Sequence, residues 1–185
     1  GRVSLDGRAV LGGEGEWDAE FGLEDVKLVW LERLSTQFAE LAIGQGASPL
    51  WLNAGSILHR LPRPLSGMVT APVGGHGGSG FPWLSVRFVA EELTVGGVRG
   101  YDLEGDLGWD GKSVACKQLA LRFGGGEVLC QGTIGKDGYV SLALVGSEMP
   151  AVAAQPWFDD DLPVTGVAEF DAQVVGDWRM PKVDG

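Results

Sequence analysis

The stretch Tyr101-Asp102-Leu103-Glu104-Gly105-Asp106-Leu107-Gly108-Trp109-Asp110-Gly111 decides the fold. Tyr101, Leu103, Leu107 and Trp109 fall on alternate positions, with Asp102, Glu104 and Asp106 between them. A period of two marks a strand with one dry and one wet face, and Asp110-Gly111 is a standard two-residue hairpin turn. The pattern continues downstream, where Leu119, Leu121 and Phe123 alternate with Gln118 and Arg122. The Gly124–Gly126 turn leads to Val128, Cys130 and Ile134, and Asp137-Gly138 turns the chain into Val140, Leu142 and Leu144. Upstream, Val69, Ala71 and Val73 predict a strand that breaks at the glycine run Gly74–Gly80; beyond Pro82 come Leu84, Val86 and Phe88, then Leu93 and Val95.

Both ends read the same way. Val3, Leu5, Gly7, Ala9 and Leu11 alternate with Arg2, Ser4, Asp6 and Arg8. After Gly12-Gly13, Trp17, Ala19, Phe21 and Leu23 alternate with Glu16, Asp18, Glu20 and Gly22, and a further apolar run follows from Val26 to Leu31. Near the other end Ala168, Phe170, Ala172 and Val174 alternate with Glu169, Asp171 and Gln173. Residues 32–62 differ: Thr36–Ile43 reads as either a strand or a short helix. In Ser48–Leu61, the apolar residues Leu50, Ile57, Leu58 and Leu61 predict a short helix or turn ended by Pro62 and Pro64. Met149–Leu162 is its counterpart as a connector. The expected fold is all-β, an antiparallel meander of roughly ten strands with one continuous apolar face.

Pro163-Val164-Thr165-Gly166, with Gly176 and Pro181, has a twin in Pro64-Leu65-Ser66-Gly67, Gly77 and Pro82; each counterpart lies 99 residues earlier. Apolar parity carries over, Val69, Ala71 and Val73 mapping onto Ala168, Phe170 and Ala172. A fixed period implies units that bury their apolar face by stacking on neighbours. It divides the chain into 1–60, the first part of a unit, 61–160, a full unit, and 161–185, the start of the next, all in one curled sheet.

A composition of 44 % hydrophobic and 21 % charged residues is that of a folded protein, and 31 glycines point to many turns and bulges. The net charge of −11 argues against nucleic acid and against a polybasic contact with anionic lipid. No apolar run reaches the roughly 18 residues of a membrane-spanning helix, and no basic start followed by an apolar core marks a signal peptide. Beginning at Gly1, the sequence is expected to be a fragment of a longer protein. Counting through Gly124–Gly126 sets Cys130 opposite about residue 120 rather than Cys116, which predicts two buried free thiols.

Catalytic and metal motifs are missing from the pattern. His59 and His76 have no ligand spacing, and the glycines around His76 lack the Gly-Lys-Ser/Thr of a phosphate loop, so a hairpin tip is expected there. Asp159-Asp160-Asp161 lacks the alternating ligands and final Glu of a calcium loop and reads as a solvated turn. No serine sits in a Gly-x-Ser-x-Gly elbow, and the carboxylates occupy wet strand faces. The expectation is a non-enzyme without metal or cofactor. The candidate site is the apolar face itself: Trp17, Phe21, Tyr101, Leu103, Leu107, Trp109, Leu121, Phe123, Leu142, Leu144 and Phe170. It is either an ordinary closed core or an open surface for an apolar ligand.

Two stretches also carry a resemblance. Pro64-Leu65-Ser66-Gly67 with Gly77 and Phe81-Pro82, and Leu162–Gly185, resemble the repeat of the TamB family, large AsmA-like proteins of double-membraned bacteria. Leu119 through Phe123-Gly124-Gly125-Gly126-Glu127-Val128-Leu129-Cys130-Gln131-Gly132-Thr133-Ile134 resembles its strand–Gly-turn–strand piece. The resemblance covers most of 61–185, is looser over 1–60, and is departed from by the His76 run. It implies a taco-like, incompletely closed groove with an apolar interior, crossing the periplasm in a protein anchored in the inner membrane. It further implies phospholipid acyl chains as ligand, a role in lipid transport and outer-membrane biogenesis, and a TamA-like outer-membrane barrel as partner in protein assembly. The family offers no catalytic residues to carry over. The alternatives are a β-sandwich or barrel module for carbohydrate binding or adhesion, favoured by aromatics on a flat wet face, and an assembly scaffold acting through free sheet edges.

Overall fold

A computed structural model describes residues 10–11, 17–27, 65–77, 83–157 and 165–185. The expectations for 3–9, 28–31, 36–43, 48–61 and 159–161, and for His59, lie outside the described residues. Ten antiparallel strands form one sheet in chain order, each hydrogen-bonded to the next. They are β1 Val10–Leu11, only two residues long, β2 Trp17–Lys27, β3 Leu65–Gly77, β4 Trp83–Val95, β5 Val98–Trp109, β6 Ser113–Phe123, β7 Gly126–Gly135, β8 Tyr139–Pro150, β9 Val167–Asp177 and β10 Lys182–Asp184. One 3-10 segment, Ala151–Trp157, links β8 towards β9. The sheet does not close: β1 and β10 remain its two edges.

Local chemistry accounts for the hairpins. Gly96-Gly97 and Gly124-Gly125 both place two consecutive residues at positive φ, as a type I′ turn requires. At the other turns a carboxylate closes the loop: Asp110 accepts from the backbone N–H of Lys112 and Ser113 at 2.8 and 2.7 Å, and Asp137 and Asp177 accept from the N–H two residues on. These are Asx turns, in which the side chain mimics a backbone acceptor. The bonds from Ser113 and Lys112 hold the exposed Asp110 carboxyl below the usual range.

Long strands keep one face dry through bulges. Pairing slips at Leu23/Val26 in β2, Ala90/Leu93 in β4, Cys116/Leu119 in β6 and Gly146/Met149 in β8. Each inserts a residue, which restores apolar parity beyond it and increases bend and twist. Asp25, Glu92 and Glu148, all acidic and all in these bulges, are the non-glycine residues with positive φ among those described. Curvature is visible across the strands. Parts of β6 and β8 approach within 8 Å although β7 lies between them, where a flat sheet would separate them by roughly 9.5 Å. The meander is thus an open, curled groove.

Two strand expectations are corrected. The glycine run does not break β3 at Gly74: it continues to Gly77, with His76 opposite Trp83 and Asp18. Pairing on both edges overrides the weak strand preference of glycine. Val26 does not begin a separate run either, because β2 continues to Lys27 and the Glu24-Asp25 bulge returns Val26 to the dry side opposite Val69.

The ladder reproduces the 99-residue period. β10 joins β9 through Lys182↔Val175, Val183↔Val174 and Asp184↔Gln173; 99 residues earlier β4 joins β3 through Trp83↔His76, Leu84↔Gly75 and Ser85↔Gly74. β8 likewise repeats β2 at an offset of 123, from Val140↔Gly176 against Trp17↔Gly77 to Pro150↔Val167 against Lys27↔Met68. The bulge is included, since Glu148 is the counterpart of Asp25. The two offsets differ because the paired residues Lys27 and Met68 are 41 apart in sequence whereas their counterparts Pro150 and Val167 are 17 apart, a difference of 24. One structural unit is therefore six strands.

The bulges give a stability test. Glu148→Gly relieves a left-handed non-glycine residue and should raise stability by up to about 1 kcal/mol. Gly126→Ala would drive a Cβ into the backbone of Glu148 and Met149 and should lower it by about 2 kcal/mol or more. Urea unfolding of both variants measures the pair.

Candidate functional site

Register, rather than proximity in sequence, assembles the apolar face. One row crosses nine strands: Phe21, Val73, Val86, Leu107, Cys116, Gly132, Leu142, Val174 and Val183. A second runs Val26, Val69, Ala90, Leu103, Leu121, Val128, Gly146 and Phe170, and a third Ala19, Gly75, Leu84, Trp109, Val114, Ile134, Val140 and Gly176. Every member is apolar or glycine. Glycine has a specific use at two places on this face: the Phe88 ring lies where a side chain on Gly105, its partner in β5, would be, and the Phe170 ring where one on Gly146 would be. The rings lie flat across the neighbouring strand and smooth the face.

Among the described residues one end of this face is covered by a strap, and away from it Cys116, Cys130 and Val140 are buried as well. Val69, Ala71, Ala90, Leu93, Val95, Tyr101, Met149 and Ala153 form a buried cluster, with Leu23, Val86, Phe88, Leu103, Leu121, Phe123 and Val128 packed against it. The 3-10 segment lies over it as a strap. The Tyr101 hydroxyl donates to the Ala153 carbonyl at 2.7 Å, and the Ala151 N–H donates to the Gly166 carbonyl at 2.9 Å. Tyr101 is 0 % exposed and packs on Phe123, ring centroids 4.6 Å apart, and burial pushes its phenol pKa up. Away from the strap Leu84, Leu107, Trp109, Val114, Ile134, Leu142, Leu144 and Val174 are half-buried, and on the β9–β10 side Phe170 and Val183 are 40 % and 65 % exposed.

The sequence-predicted residues therefore divide. Trp17 and Phe21 hold β2 backbone positions opposite Gly77 and Val73. Tyr101, Leu103, Leu121 and Phe123 belong to the strapped end; Leu107, Trp109, Leu142, Leu144 and Phe170 lie on the accessible part of the same face. Leu84, Val86, Val114, Ile134, Val140 and Val174 share that face and were not in the predicted set, although most obey the same alternation. Val114 is out of step with Leu119 in sequence, and only the bulge at Lys117-Gln118 aligns them.

Cys116 and Cys130 are free and buried on the dry face, as the spacing predicts. The Cys116 thiol donates to the Cys130 carbonyl at 3.5 Å. Burial, then the neighbouring Cys130, pushes the Cys116 pKa from 9.0 up to about 11, and burial raises that of Cys130.

The opposite face carries the charges, with Met68, Val89, Tyr139 and Val145 exposed among them. Asp106 lies 3.4 Å from Arg87 and 3.5 Å from Lys117, and Arg122 bridges Glu104 at 3.2 Å and Glu127 at 2.7 Å. These cross-strand pairs are exposed and screened by solvent, so they add little to stability. Trp83 also stands on this face, stacked on His76 at 5.3 Å with the Lys117 ammonium 5.2 Å from its ring. No group of three potential metal ligands occurs among the described residues. Comparison with family models, with curated protein sequences and with solved structures finds no match to this chain.

The strap and the thiols each give a prediction. Tyr101→Phe leaves the Ala153 carbonyl without its donor and should cost about 1–2 kcal/mol, read from denaturant midpoints. For the thiols, the folded pKa lies above the unfolded one, so their contribution is intact below about pH 9 and is lost as pH rises from 9 towards 11. Denaturant midpoints across that range should fall in the wild type and fall less in Cys116→Ala.

Proposed function

We propose that this protein holds phospholipid acyl chains along the dry face of its curled sheet, as part of an envelope protein that conducts lipid between two membranes. The observation that carries this reading is a face of uniformly apolar rows, continuous across nine strands, covered at one end and accessible at the other. Acyl chains are long, flexible and apolar, and bind wherever they remove hydrocarbon from water; a smooth trough without buried polar groups suits them. Charged strands on the opposite face keep the sheet soluble in water, and head groups would stay at the rim. The recurrence of the same register every six strands supports a trough lengthened by repetition. The TamB-like resemblance adds the periplasmic setting, the inner-membrane anchor and the TamA-like barrel partner as parts of the proposal. No step in this function requires a catalytic group.

The carbohydrate-binding alternative has in its favour the aromatics Trp83 and Tyr139 on the wet face, which stand on different, non-adjacent strands. For Trp83, the ring is already packed by His76 and Lys117, so it offers a sugar little free surface.

Lipid extraction and mass spectrometry of the protein purified from a bacterial envelope test the proposal. Wild type should carry phospholipid in stoichiometric amount. Leu142→Asp, a half-buried position away from the strap, should fold, shown by an unchanged far-ultraviolet spectrum, and lose that lipid. Lipid-free, well-folded wild type would sink the proposal, as would equal lipid on both proteins.

A further inference from the structure

Building on the lipid-holding reading, we propose that the rim at the accessible end of the dry face selects phospholipids with a net negative head group. Lys112, Lys136, Arg179 and Lys182 would hold the phosphate. Three turns on one side of the sheet carry the argument. Lys112 lies between β5 and β6, Lys136 between β7 and β8 and Arg179 between β9 and β10, with Lys182 the first residue of β10. The turns form one continuous lip. The Lys136 N–H donates to the Lys112 carbonyl at 2.7 Å, and the Trp178 N–H donates to the Gly138 carbonyl at 3.0 Å.

All four cations are exposed, and none forms an ion pair among the described residues. Arg87, Lys117 and Arg122, by contrast, are committed to Asp106, Glu104 and Glu127 on the wet face. The carboxylates of the same turns are engaged by backbone: Asp110 by the N–H of Lys112 and Ser113, Asp137 by that of Tyr139, and Asp177 by that of Arg179. Four cations against these three carboxylates leave the lip with a positive balance, in a chain whose net charge is −11. The strapped end has the opposite sign. The bulges at Glu24-Asp25, Glu91-Glu92 and Ser147-Glu148 lie there and repel a phosphate.

The spacing suits one molecule with both parts. Lys112 and Lys136 stand two residues beyond Val114 and Ile134, which pair with each other in the third apolar row, a step of about 7 Å along the strands. In a phospholipid the phosphate is only a few bonds from the start of the acyl chains. Chains lying on Trp109, Val114 and Ile134 therefore bring it to the lip. Arg179, its guanidinium 5.8 Å from the centre of the Trp178 ring, adds a planar fork that matches two phosphate oxygens. Charge then separates lipid classes: the ammonium of a zwitterionic head group is repelled by these cations, and an uncharged glycerol head group is not.

The test loads the lipid-stripped full chain from vesicles of equimolar phosphatidylglycerol and phosphatidylethanolamine, re-isolates the protein and reads its bound lipid by mass spectrometry. At low salt phosphatidylglycerol should be enriched by about fivefold over the vesicle ratio, roughly the factor one cation contributes beside an anionic lipid. Sodium chloride at about 0.5 M should abolish the enrichment. Lys112→Gln/Lys136→Gln should return the ratio to that of the vesicles with total bound lipid unchanged. Arg87→Gln/Arg122→Gln, the same change of charge outside the lip, should keep the enrichment. Glycerol phosphate added at constant ionic strength should not displace the lipid; displacement would make the lip a site for a free phosphate and overturn the proposal. Equal loss of enrichment in the two double variants also overturns it. Wild type that binds lipid at the vesicle ratio sinks the selection and leaves the acyl-chain reading standing, whereas wild type that binds no lipid removes both.

Discussion

The constraint on which the structure depends is parity. In a strand, successive side chains point to opposite faces, so one unmatched residue reverses the wetting of everything beyond it. Strands of ten to thirteen residues twist too much to pair perfectly along their length, and β2, β4, β6 and β8 each absorb the mismatch in one bulge. In three of the four, an acidic residue takes the left-handed conformation. That conformation costs roughly 1–2 kcal/mol. It persists because the alternative would expose every apolar residue between the bulge and the strand end. At Glu92 the cost is partly offset, since its N–H donates to the Asp102 carboxylate at 2.9 Å.

The same bulges explain the shape. Three lie towards the strand ends near the strap, at Glu24-Asp25, Glu91-Glu92 and Ser147-Glu148, and add local bend there. Those ends curl over one another enough for the short Ala151–Trp157 strap to cover the enclosed side chains, with Tyr101 as its anchor. At the other end, around Leu84, Trp109 and Ile134, the side chains are half-buried and no comparable segment lies over them among the described residues. A single continuous surface thus has a fixed, dry end and an accessible end. This asymmetry separates it from a sandwich, in which two sheets cover each other fully.

Repetition supplies the remaining logic. A unit of six strands returns the sheet to the same register and the same bulge, so a longer sheet can be made without new packing rules. Sequence identity is not needed for this: β2 and β8 share almost no residues in their aligned positions, only the alternation and an acidic residue in the bulge. Equivalent connections vary in length because they lie outside the ladder and constrain nothing in it.

The sequence by itself determined the class of fold, most of the hairpins and the alternation that makes one face dry. Alternation is a local property, readable from Tyr101, Leu103, Leu107 and Trp109 without knowing what lies beside them, and Asp-Gly and Gly-Gly turns impose their geometry within four residues. Tertiary structure alone decided where β3 ends, because Gly74–His76 are held in the strand by partners on both sides and Gly77 by Trp17. It alone placed Val114 in line with Leu119, since a bulge is located by the register of the opposing strand. It alone divided the predicted face into the strapped residues around Tyr101 and the accessible ones around Leu142. That division follows from bend and twist accumulated over many strands, a sum that no single stretch of sequence contains.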